Sequence, residues 1–357
     1  MPEIDKVLPV AVRKERKPKA GPKASKAPKA PTAVKVKKAP KAKASVVIKA
    51  PPKPEMPDLK CGFVSIIGRP NTGKSTLLNY IVGEKISIVS DVPQTTRKML
   101  RGIYTDKRGQ VVFIDTPGWH LGRDNLDRYM NQACVNAIEG VDCIIHTVDS
   151  SERVGEEERR VVARLKNQKV PIIVALNKID LKGKFIAEYV ELWESARGMP
   201  VSEMKDFVLL PLSGRDGIQV DQLLEVVFSF LPQGPMLYEP DIVTDVPRKQ
   251  AVADIIREKL FLLTREEVPH AIAVEVEEMR PVKGKTTYIR AAILVERQTQ
   301  KEIVIGNRGS MVKQVGSLAR TELEALLETK VFLELFVKFR KNWRDDHDLL
   351  VDMGYSF

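Results

Sequence analysis

The sequence predicts a doubly wound α/β domain with a mostly parallel sheet, followed by a smaller α+β domain and preceded by a disordered tail. Apolar, β-branched runs alternate with amphipathic stretches after residue 60, which is typical of a parallel sheet with helices on both faces. Three of these runs end in polar or Gly-rich loops, as strands do at the binding edge of such a sheet. A break rich in Pro and Gly at Leu231–Pro235 separates the two folded units. We therefore place the domains at 61–232 and 233–357, with the tail at 1–60.

Charge is distributed unevenly along the 357 residues. The whole chain has a net charge of +11, and residues 1–60 hold 15 Lys and 2 Arg against 5 acidic residues. That tail contains no Phe, Trp or Tyr and is dominated by Lys, Ala and Pro, whereas the chain as a whole is 43% hydrophobic. Because the tail cannot bury enough apolar surface to offset the entropy of ordering, we expect it to be disordered.

Two functions fit the tail, and both stay open: an unspecific solvating arm and an arm that seeks the phosphates of RNA. Its lysines can also contact anionic lipid. A mitochondrial-type presequence fits less well, because such segments are rich in Arg and Ser and poor in acidic residues. This tail has two Arg and two Ser, together with Glu3 and Asp5.

Composition also bears on the compartment. No apolar stretch approaches the roughly 18–20 residues of a membrane span, and no secretory signal is recognisable at the start. The cysteines Cys61, Cys134 and Cys143 are odd in number and lack metal-ligand spacing, so we expect a reducing cytoplasm and no zinc site.

The first folded domain is predicted from strands and helices in alternation. We expect strands at Phe63–Ile67, Ile103–Tyr104, Val111–Ile114, Cys143–Val148, Ile172–Leu176 and Phe207–Leu210. We expect helices at Leu77–Ile81, Leu126–Ile138, Glu157–Leu165, Lys184–Ser195 and Val220–Leu231.

The loop between the first strand and the first helix fits the phosphate-loop pattern G-x-x-x-x-G-K-[ST]. Its glycines let successive N–H groups point at phosphate oxygens, and the helix that follows adds the positive end of its dipole. Lys74 would reach the β- and γ-phosphates, and the Ser75 hydroxyl would bind Mg²⁺. A chance match of a Gly/Lys-rich loop is the alternative. The candidate binding residues here are Gly68, Arg69, Pro70, Asn71, Thr72, Gly73, Lys74, Ser75 and Thr76.

Two further motifs close strands of the same sheet. Asp115-Thr116-Pro117-Gly118 would support the metal through Asp115 and hold a γ-phosphate through the Gly118 N–H. Asn177-Lys178-Ile179-Asp180 would bind the base, because the Asp180 carboxylate can accept hydrogen bonds from N1–H and the 2-amino group of guanine. Adenine offers neither donor, which leaves the carboxylate unpaired at a penalty of roughly 1–3 kcal/mol or more. Taken singly, Asp180 is also an ordinary helix N-cap and Asp115 an ordinary turn residue; the three motifs in this order predict a GTP-binding domain.

The chain resembles the translation-factor-related GTPases, and among them the Era family of ribosome-assembly GTPases, from about Gly62 to the C-terminus. The resemblance implies GTP hydrolysis to GDP, a P-loop GTPase fold, and a switch I at Gln94-Thr95-Thr96-Arg97, where Thr95 or Thr96 would bind Mg²⁺. It also implies a base-closing loop at Ser213-Gly214. Two departures are Gly214, where the family usually has Ala, and Thr72, where it commonly has Val or Ala. The resemblance also implies that four residues are catalytic: Lys74, Thr95, Thr96 and Gly118.

Position 119 bears on the rate of hydrolysis. Ras-like enzymes have a Gln there to orient the attacking water, and this chain has Trp119, which has no acceptor. The adjacent His120 is either an incidental polar residue or a base. We therefore expect slow intrinsic hydrolysis. Related GTPases with Asn at the position of Asn71 can use bound K⁺ in place of an arginine finger, which suggests K⁺ as a further cofactor beside GTP/GDP and Mg²⁺.

The second domain has a helix at Val252–Leu263, strands at Ala271–Val276 and Tyr288–Val295, and a G-x-x-G loop between two short helices. This order resembles a type II KH domain, in which such a loop brings backbone and basic side chains close to a phosphodiester. The candidate RNA-binding residues are Gly306, Asn307, Arg308, Gly309 and Lys313. Ile303, Ile305, Val312 and Val315 are candidates either for the apolar floor of an RNA groove or for the core.

The flanks of this loop also look like Era-family KH segments, notably Ile255–Leu260, Val295–Arg297, Val331–Leu335 and Asn342–Asp346. The family resemblance implies that the partner is the single-stranded 3′ end of small-subunit (16S) ribosomal RNA within the 30S subunit. It implies a cytoplasmic monomer, in some cells peripherally associated with the inner face of the membrane. Three other functions stay open: a GTPase that modifies transfer RNA, an RNA-binding scaffold that uses GTP structurally, and a nucleoid-like protein led by its tail.

Overall fold

β-Branched runs that are buried along their whole length form the centre of the first domain. In β4, all seven residues from Cys143 to Asp149 are buried, as expected of a central parallel strand covered on both faces. The structure is a computed structural model that describes residues 59–355 except 91, 93, 120, 121 and 123. The predictions for the tail and for His120 therefore lie outside the described residues.

The larger sheet has the strand order β2-β3-β1-β4-β5-β6. All neighbouring strands are parallel except β2, which runs antiparallel to β3 at the edge. Its strands are β1 (Lys60–Ile67), β2 (Leu100–Asp106), β3 (Gly109–Asp115), β4 (Cys143–Asp149), β5 (Ile172–Asn177) and β6 (Phe207–Pro211). The predicted mostly parallel sheet is confirmed.

Helices cover both faces of this sheet. They are α1 (Lys74–Val82), α2 (Asn125–Asn136), α3 (Glu156–Leu165), α4 (Ile186–Arg197) and α5 (Val220–Phe230). Successive residues of one strand face opposite layers: Ile145 packs with α1 and α5, and Ile144 packs with α2, α3 and α4. Since β1, β3, β4, β5 and β6 are parallel, their carboxyl ends meet at one edge, where the three sequence motifs lie.

The second domain consists of a three-stranded sheet and helices in the order α6 (Arg248–Leu263), β7 (Ala273–Val282), β8 (Thr286–Val295), α7 (Gln298–Ile305), α8 (Ser310–Leu327), β9 (Lys330–Phe339) and α9 (His347–Asp352). β7 and β8 are antiparallel, whereas β8 and β9 are parallel. The helix after the G-x-x-G loop has 18 residues, so the expectation of two short helices was wrong for α8. The first predicted strand starts two residues late because Pro269–Ala271 form a 3-10 turn.

The connection between the domains is fastened to the first sheet. Gln110 accepts hydrogen bonds from the N–H groups of Leu237 and Tyr238, both at 2.8 Å. The N–H of Ile103 donates to the carbonyl of Val243 at 2.8 Å, so this segment lies along edge strand β2. The exact domain bounds 61–232 and 233–357 stay predictions.

The two domains share one hydrophobic cluster. Leu126, Tyr129 and Met130 of α2 pack there against side chains of the second sheet, such as Leu294, and against Trp343. In the part of the chain that the structure describes, no helix combines the length and the apolar character needed to cross a membrane.

Candidate functional site

The phosphate loop joins β1 to α1 with a backbone that requires glycine. Gly73 has φ of 90°, and a Cβ there would lie 2.4 Å from Nδ2 of Asn177. At Gly68, a Cβ would lie 2.3 Å from the carbonyl oxygen of Thr147. Asn71 also adopts a left-handed conformation, with φ of 61°. The loop is therefore packed closely against β4 and β5, and left-handed residues in such a loop allow its N–H groups to converge on an anion.

Lys74 is the first residue of α1, and its side chain is buried within the loop. Its Nζ donates to the carbonyl oxygens of Gly68 at 3.2 Å and Arg69 at 2.8 Å. Burial lowers the pKa of Lys74 from its ordinary value, and the charge of Asp115 opposes this shift. The ammonium group is thus held at the phosphate end of the cleft by neutral carbonyls, where an anionic ligand would favour its charged form.

Three of the predicted metal-binding residues converge on one point. The Ser75 Oγ lies 2.8 Å from Thr96 Oγ1 and donates to Asp115 Oδ2 at 2.6 Å. Asp115 Oδ2 also accepts from Ser87 Oγ at 3.0 Å. Burial raises the pKa of Asp115, and the Ser75 hydrogen bond opposes this rise.

This arrangement fits Mg²⁺. Two oxygens at neighbouring positions of an octahedron with metal–oxygen distances of about 2.1 Å are about 3 Å apart, close to the separation of the Ser75 and Thr96 hydroxyls. Asp115 Oδ1 is buried and has no hydrogen-bond partner in the described residues, so it is available to a metal-bound water. The ion would neutralise phosphate charge, while Ser75 and Thr96 would hold it and Asp115 would orient its waters.

The structure distinguishes the two switch threonines. The hydroxyl of Thr95 donates to the carbonyl oxygen of Val92 at 2.6 Å and so stabilises the loop. The hydroxyl of Thr96 is the one beside Ser75. Sequence reasoning left this choice open because neighbouring threonines in an irregular segment carry no periodicity.

Asn177 connects the phosphate side of the cleft to its base side. Its Nδ2 donates to the Thr72 carbonyl at 2.8 Å, and its Oδ1 accepts from the N–H of Gly214 at 2.8 Å. A Cβ at position 214 would lie 3.1 Å from Leu77 Cα, so glycine relieves a tight contact where the family usually has Ala. Ser213 is buried and bonded through its N–H to the carbonyl of Ile218, which closes the loop on this side.

The two charged residues of the base motif have different surroundings. Lys178 forms an ion pair with Asp149 at 2.6 Å, and hydrogen bonds from Lys178 and Ser151 lower the pKa of that carboxyl against the effect of burial. Asp180 is exposed. Helix α4 begins at Ile186 with Phe185 as its N-cap, so the alternative that Asp180 is an N-cap was wrong.

The segment after β3 separates into residues that reach the cleft and residues that do not. Gly118 lines the cleft, and a Cβ there would lie 2.6 Å from Cα of Pro70. Thr116 is buried and donates to the carbonyl of Ile66, and the Pro117 carbonyl accepts from Cys134.

Trp119 lies away from the cleft. It is 5% exposed, packs with α2 and α3, and has the guanidinium of Arg164 4.1 Å from its ring centroid. Its main-chain N–H donates to the Gly68 carbonyl of the phosphate loop at 3.4 Å.

The cleft itself encloses a volume of about 60 Å³. It is lined by Pro70, Asn71, Gly73, Lys74, Ser75, Thr76, Ile88, Val89, Ser90, Gln94, Thr95, Thr96 and Gly118. Sequence reasoning placed Gln94 in switch I but missed Ile88, Val89 and Ser90 as site residues, although they precede the switch motif. It also missed Asp149, whose position at the end of β4 was a usable signal. Arg69 does not line the cleft; its side chain forms ion pairs with Glu152 and with the fully buried Glu158.

A second groove lies between α8 and β9. It is lined by Ile305, Gly309, Val312, Lys313, Gly316, Ser317, Arg320 and residues 333–337. Of the predicted loop, Gly309 and Lys313 line this groove, whereas Asn307 and Arg308 are exposed on the turn beside it and Gly306 precedes them with φ of 73°.

The predicted apolar floor needs correction. Ile305 and Val312 line the groove. Val315 is fully buried in the core, which was the alternative for it, whereas Ile303 is 49% exposed and lies neither in the groove nor in the core, so both alternatives were wrong for Ile303. Gly316 and Arg320, which sequence reasoning missed, lie one and two turns beyond Val312 on the same helix.

Comparison with known proteins agrees with this geometry. A family model described as 50S ribosome-binding GTPase matches residues 63–178, and a KH domain model matches residues 267–344. GTPase Era of Halothermothrix orenii is 46% identical over 298 residues, covering 83% of this chain and 99% of that protein. GTPase Era of Geobacter metallireducens is 46% identical over 299 residues, covering 83% and 98%.

Solved structures give the same result. Aquifex aeolicus Era bound to GDP·AlF4− is 34% identical, with a TM-score of 0.78 and coverage of 84% of this chain and 100% of that chain. Era in complex with MgGDPNP and nucleotides 1506–1542 of 16S ribosomal RNA is 34% identical with a TM-score of 0.79 and the same coverage. The chain belongs to the Era family of GTPases.

Proposed function

We propose that this GTPase binds the 3′ end of small-subunit ribosomal RNA in the groove of its KH domain and acts in assembly of the 30S subunit. The observation that carries the proposal is the groove between α8 and β9, in which glycine, basic and apolar residues lie side by side. The solved Era complex with 16S ribosomal RNA supports the choice of RNA. GTP hydrolysis to GDP and phosphate follows from membership of the family.

The groove has the features that an unpaired RNA strand requires. Gly309 and Gly316 leave room for the sugar–phosphate backbone, and Lys313 and Arg320 supply charge for it. Ile305 and Val312 provide an apolar surface for bases whose edges are then read by hydrogen bonds.

Binding of a labelled RNA that matches nucleotides 1506–1542 of 16S ribosomal RNA tests the proposal. We expect the protein with GDPNP to bind it at least about tenfold tighter than an RNA of the same composition in scrambled order. Lys313→Glu should weaken binding, whereas Lys182→Glu, at an exposed residue of the GTPase domain, should not. Equal affinity for the two RNAs would contradict the proposed target.

We also propose that the GTPase cycle uses K⁺ at Asn71, a phosphate-loop residue that lines the cleft. A monovalent cation there would offset charge that develops on the phosphates during hydrolysis. The rate of GTP turnover, measured in KCl and in NaCl buffers of the same ionic strength, tests this role of K⁺. The expected result is faster turnover in KCl, and equal rates would exclude this role.

For location, we propose a cytoplasmic monomer. The three cysteines are free and buried, which fits a reducing compartment. Peripheral contact with the inner face of the membrane would come from the lysines of the tail and the charge of anionic lipid. Co-sedimentation with vesicles of anionic and of neutral lipid would test that contact, and light scattering would measure the mass in solution.

A further inference from the structure

Two arginines, one from each domain, connect switch I to the KH domain. Arg97, directly after the switch threonines, is buried among the atoms of the KH domain. Its guanidinium donates to the carbonyl oxygens of Ile272 at 2.7 Å, His270 at 3.1 Å and Pro269 at 3.2 Å. It also lies 5.9 Å from the ring centroid of Trp343. Burial lowers the pKa of Arg97 to about 10.

Arg257, on α6 of the KH domain, reaches in the other direction and contacts the main chain of switch I. Its guanidinium donates to the carbonyl oxygen of Thr95 at 3.0 Å and is oriented by an ion pair with Asp254 at 2.8 Å. Arg257 is itself buried. Thr96 therefore lies between two residues held by the KH domain: Thr95, whose carbonyl accepts from Arg257, and Arg97, whose side chain is buried there.

We propose that Arg257 is a positioning residue of the GTPase reaction, which holds the main chain of Thr95 so that the Thr96 hydroxyl lies at the metal site. The proposal depends on the predicted magnesium role of Thr96, which is supported by its 2.8 Å distance from Ser75. It goes beyond RNA binding, because it makes the KH domain part of the nucleotide site even without RNA.

The proposal predicts a difference between the two nucleotides. In switch GTPases, the γ-phosphate and its Mg²⁺ order switch I, and this order is lost after hydrolysis. A contact that holds Thr96 at the metal should therefore favour the triphosphate form and leave the diphosphate form nearly unchanged. Arg257 would remove part of the entropy cost of ordering switch I before the nucleotide binds.

Dissociation of fluorescent GDPNP and GDP from the full chain, measured at saturating Mg²⁺, tests the proposal. For Arg257→Ala, we expect GDPNP to dissociate about 3- to 10-fold faster, as for loss of one hydrogen bond, while GDP changes less than twofold. The Mg²⁺ concentration needed to retain GDPNP should rise. Arg265→Ala, at an exposed residue of the same domain, should behave like the wild type.

Arg257→Lys keeps a charged donor and guards against a folding defect in the alanine variant, and it should give a smaller change in the same direction. Equal acceleration of GDP and GDPNP, or no change for either in the folded variants, would overturn the proposal. RNA binding by the same variants is measured in parallel. Loss of RNA affinity with an unchanged nucleotide difference would count against the positioning role, whereas a failure of wild-type protein to bind RNA would concern the proposed function alone.

Discussion

At the scale of single residues, Asn177 connects the two sides of the nucleotide cleft. One amide group joins the phosphate loop, through Thr72, to the base-side loop, through Gly214. Both partners are main-chain groups that are buried, and loss of either bond would leave them unsatisfied. The motif in the sequence identified Asn177, but it did not show that the residue acts by connecting two loops rather than by contact with the ligand alone.

Asp180→Asn should reduce the preference for GTP over ATP by about 10- to 100-fold, because an amide cannot accept both donors of guanine. The preference is measured by competition of each triphosphate against fluorescent GDP. Asp221→Asn, at an exposed carboxylate on α5, serves as the control. An unchanged preference in Asp180→Asn would mean that another group reads the base.

Lys98 should make stability depend on pH. Its Nζ is enclosed by the Met353 carbonyl and the Tyr355 ring, and burial lowers its pKa from 10.5 to about 8. Between these two values the unfolded chain binds the proton and the folded chain does not, so this residue should raise stability as pH rises from 8 to 10.5.

Unfolding of the wild type and of Lys98→Met in urea at pH 7 and pH 9.5 measures this effect. The wild type should gain about 1–2 kcal/mol relative to the variant between these pH values. Lys107→Met, at an exposed residue, should keep the wild-type profile. Identical profiles for the wild type and Lys98→Met would show that the folded-state pKa is not lowered.

At the scale of elements, the sequence predicted the buried strands well because their burial leaves a continuous apolar run. For β2, the sequence predicted only Ile103–Tyr104, whereas the strand in the structure spans Leu100–Asp106. This edge strand carries Arg and Asp, and its pairing with β3 rather than an apolar pattern stabilises it. Likewise, Val315 could not be assigned to core or groove from sequence, since Val312 and Val315 are apolar residues three positions apart on one helix.

Helix α8 contacts both the RNA groove and the GTPase domain. Arg320 lines the groove, and Glu322 forms ion pairs with Lys85 at 2.8 Å and Lys259 at 2.5 Å. Lys85 also pairs with Glu258 and precedes the residues that line the nucleotide cleft. A shift of α8 on binding RNA would therefore move charges at Lys85, three residues before the cleft-lining Ile88.

Since these ion pairs connect the groove helix to the GTPase domain, we expect RNA to stimulate GTP turnover. Glu322→Gln should reduce that stimulation about 3- to 10-fold, in the range of a modest coupling energy, and leave turnover without RNA nearly unchanged. These partly exposed pairs contribute little to stability, so the variant should fold normally. Glu328→Gln at the end of α8 is the matched control. An equal stimulation in Glu322→Gln and wild type would exclude this route between the domains.

At the scale of the whole molecule, the two domains were predictable and their contact was not. Each domain has its own motif and its own periodicity, but Arg97 and Ile272 are separated by 175 residues, and nothing local in either segment indicates that they meet. The family resemblance predicted the order of the domains, whereas the arginine contacts are visible only in the folded structure.

Removal of residues 1–58 tests the role of the basic tail and leaves the bond between the Leu59 carbonyl and the N–H of Gly234 intact. If the tail is an accessory arm, RNA affinity should fall and its salt dependence should decrease by about 0.7 in log–log slope for each phosphate lost, with sequence preference unchanged. Loss of sequence preference would instead assign recognition to the tail and favour the nucleoid-like alternative.

The segment held by Gln110 along β2 has a consequence for self-association. An open edge strand presents unpaired N–H and C=O groups that a strand from another molecule can extend. Here the main chain of Val243 and the Thr244 bridge to Gly102 occupy part of that template. The same stretch that links the domains thus protects the sheet from intermolecular pairing, and a shortened linker would expose it to aggregation.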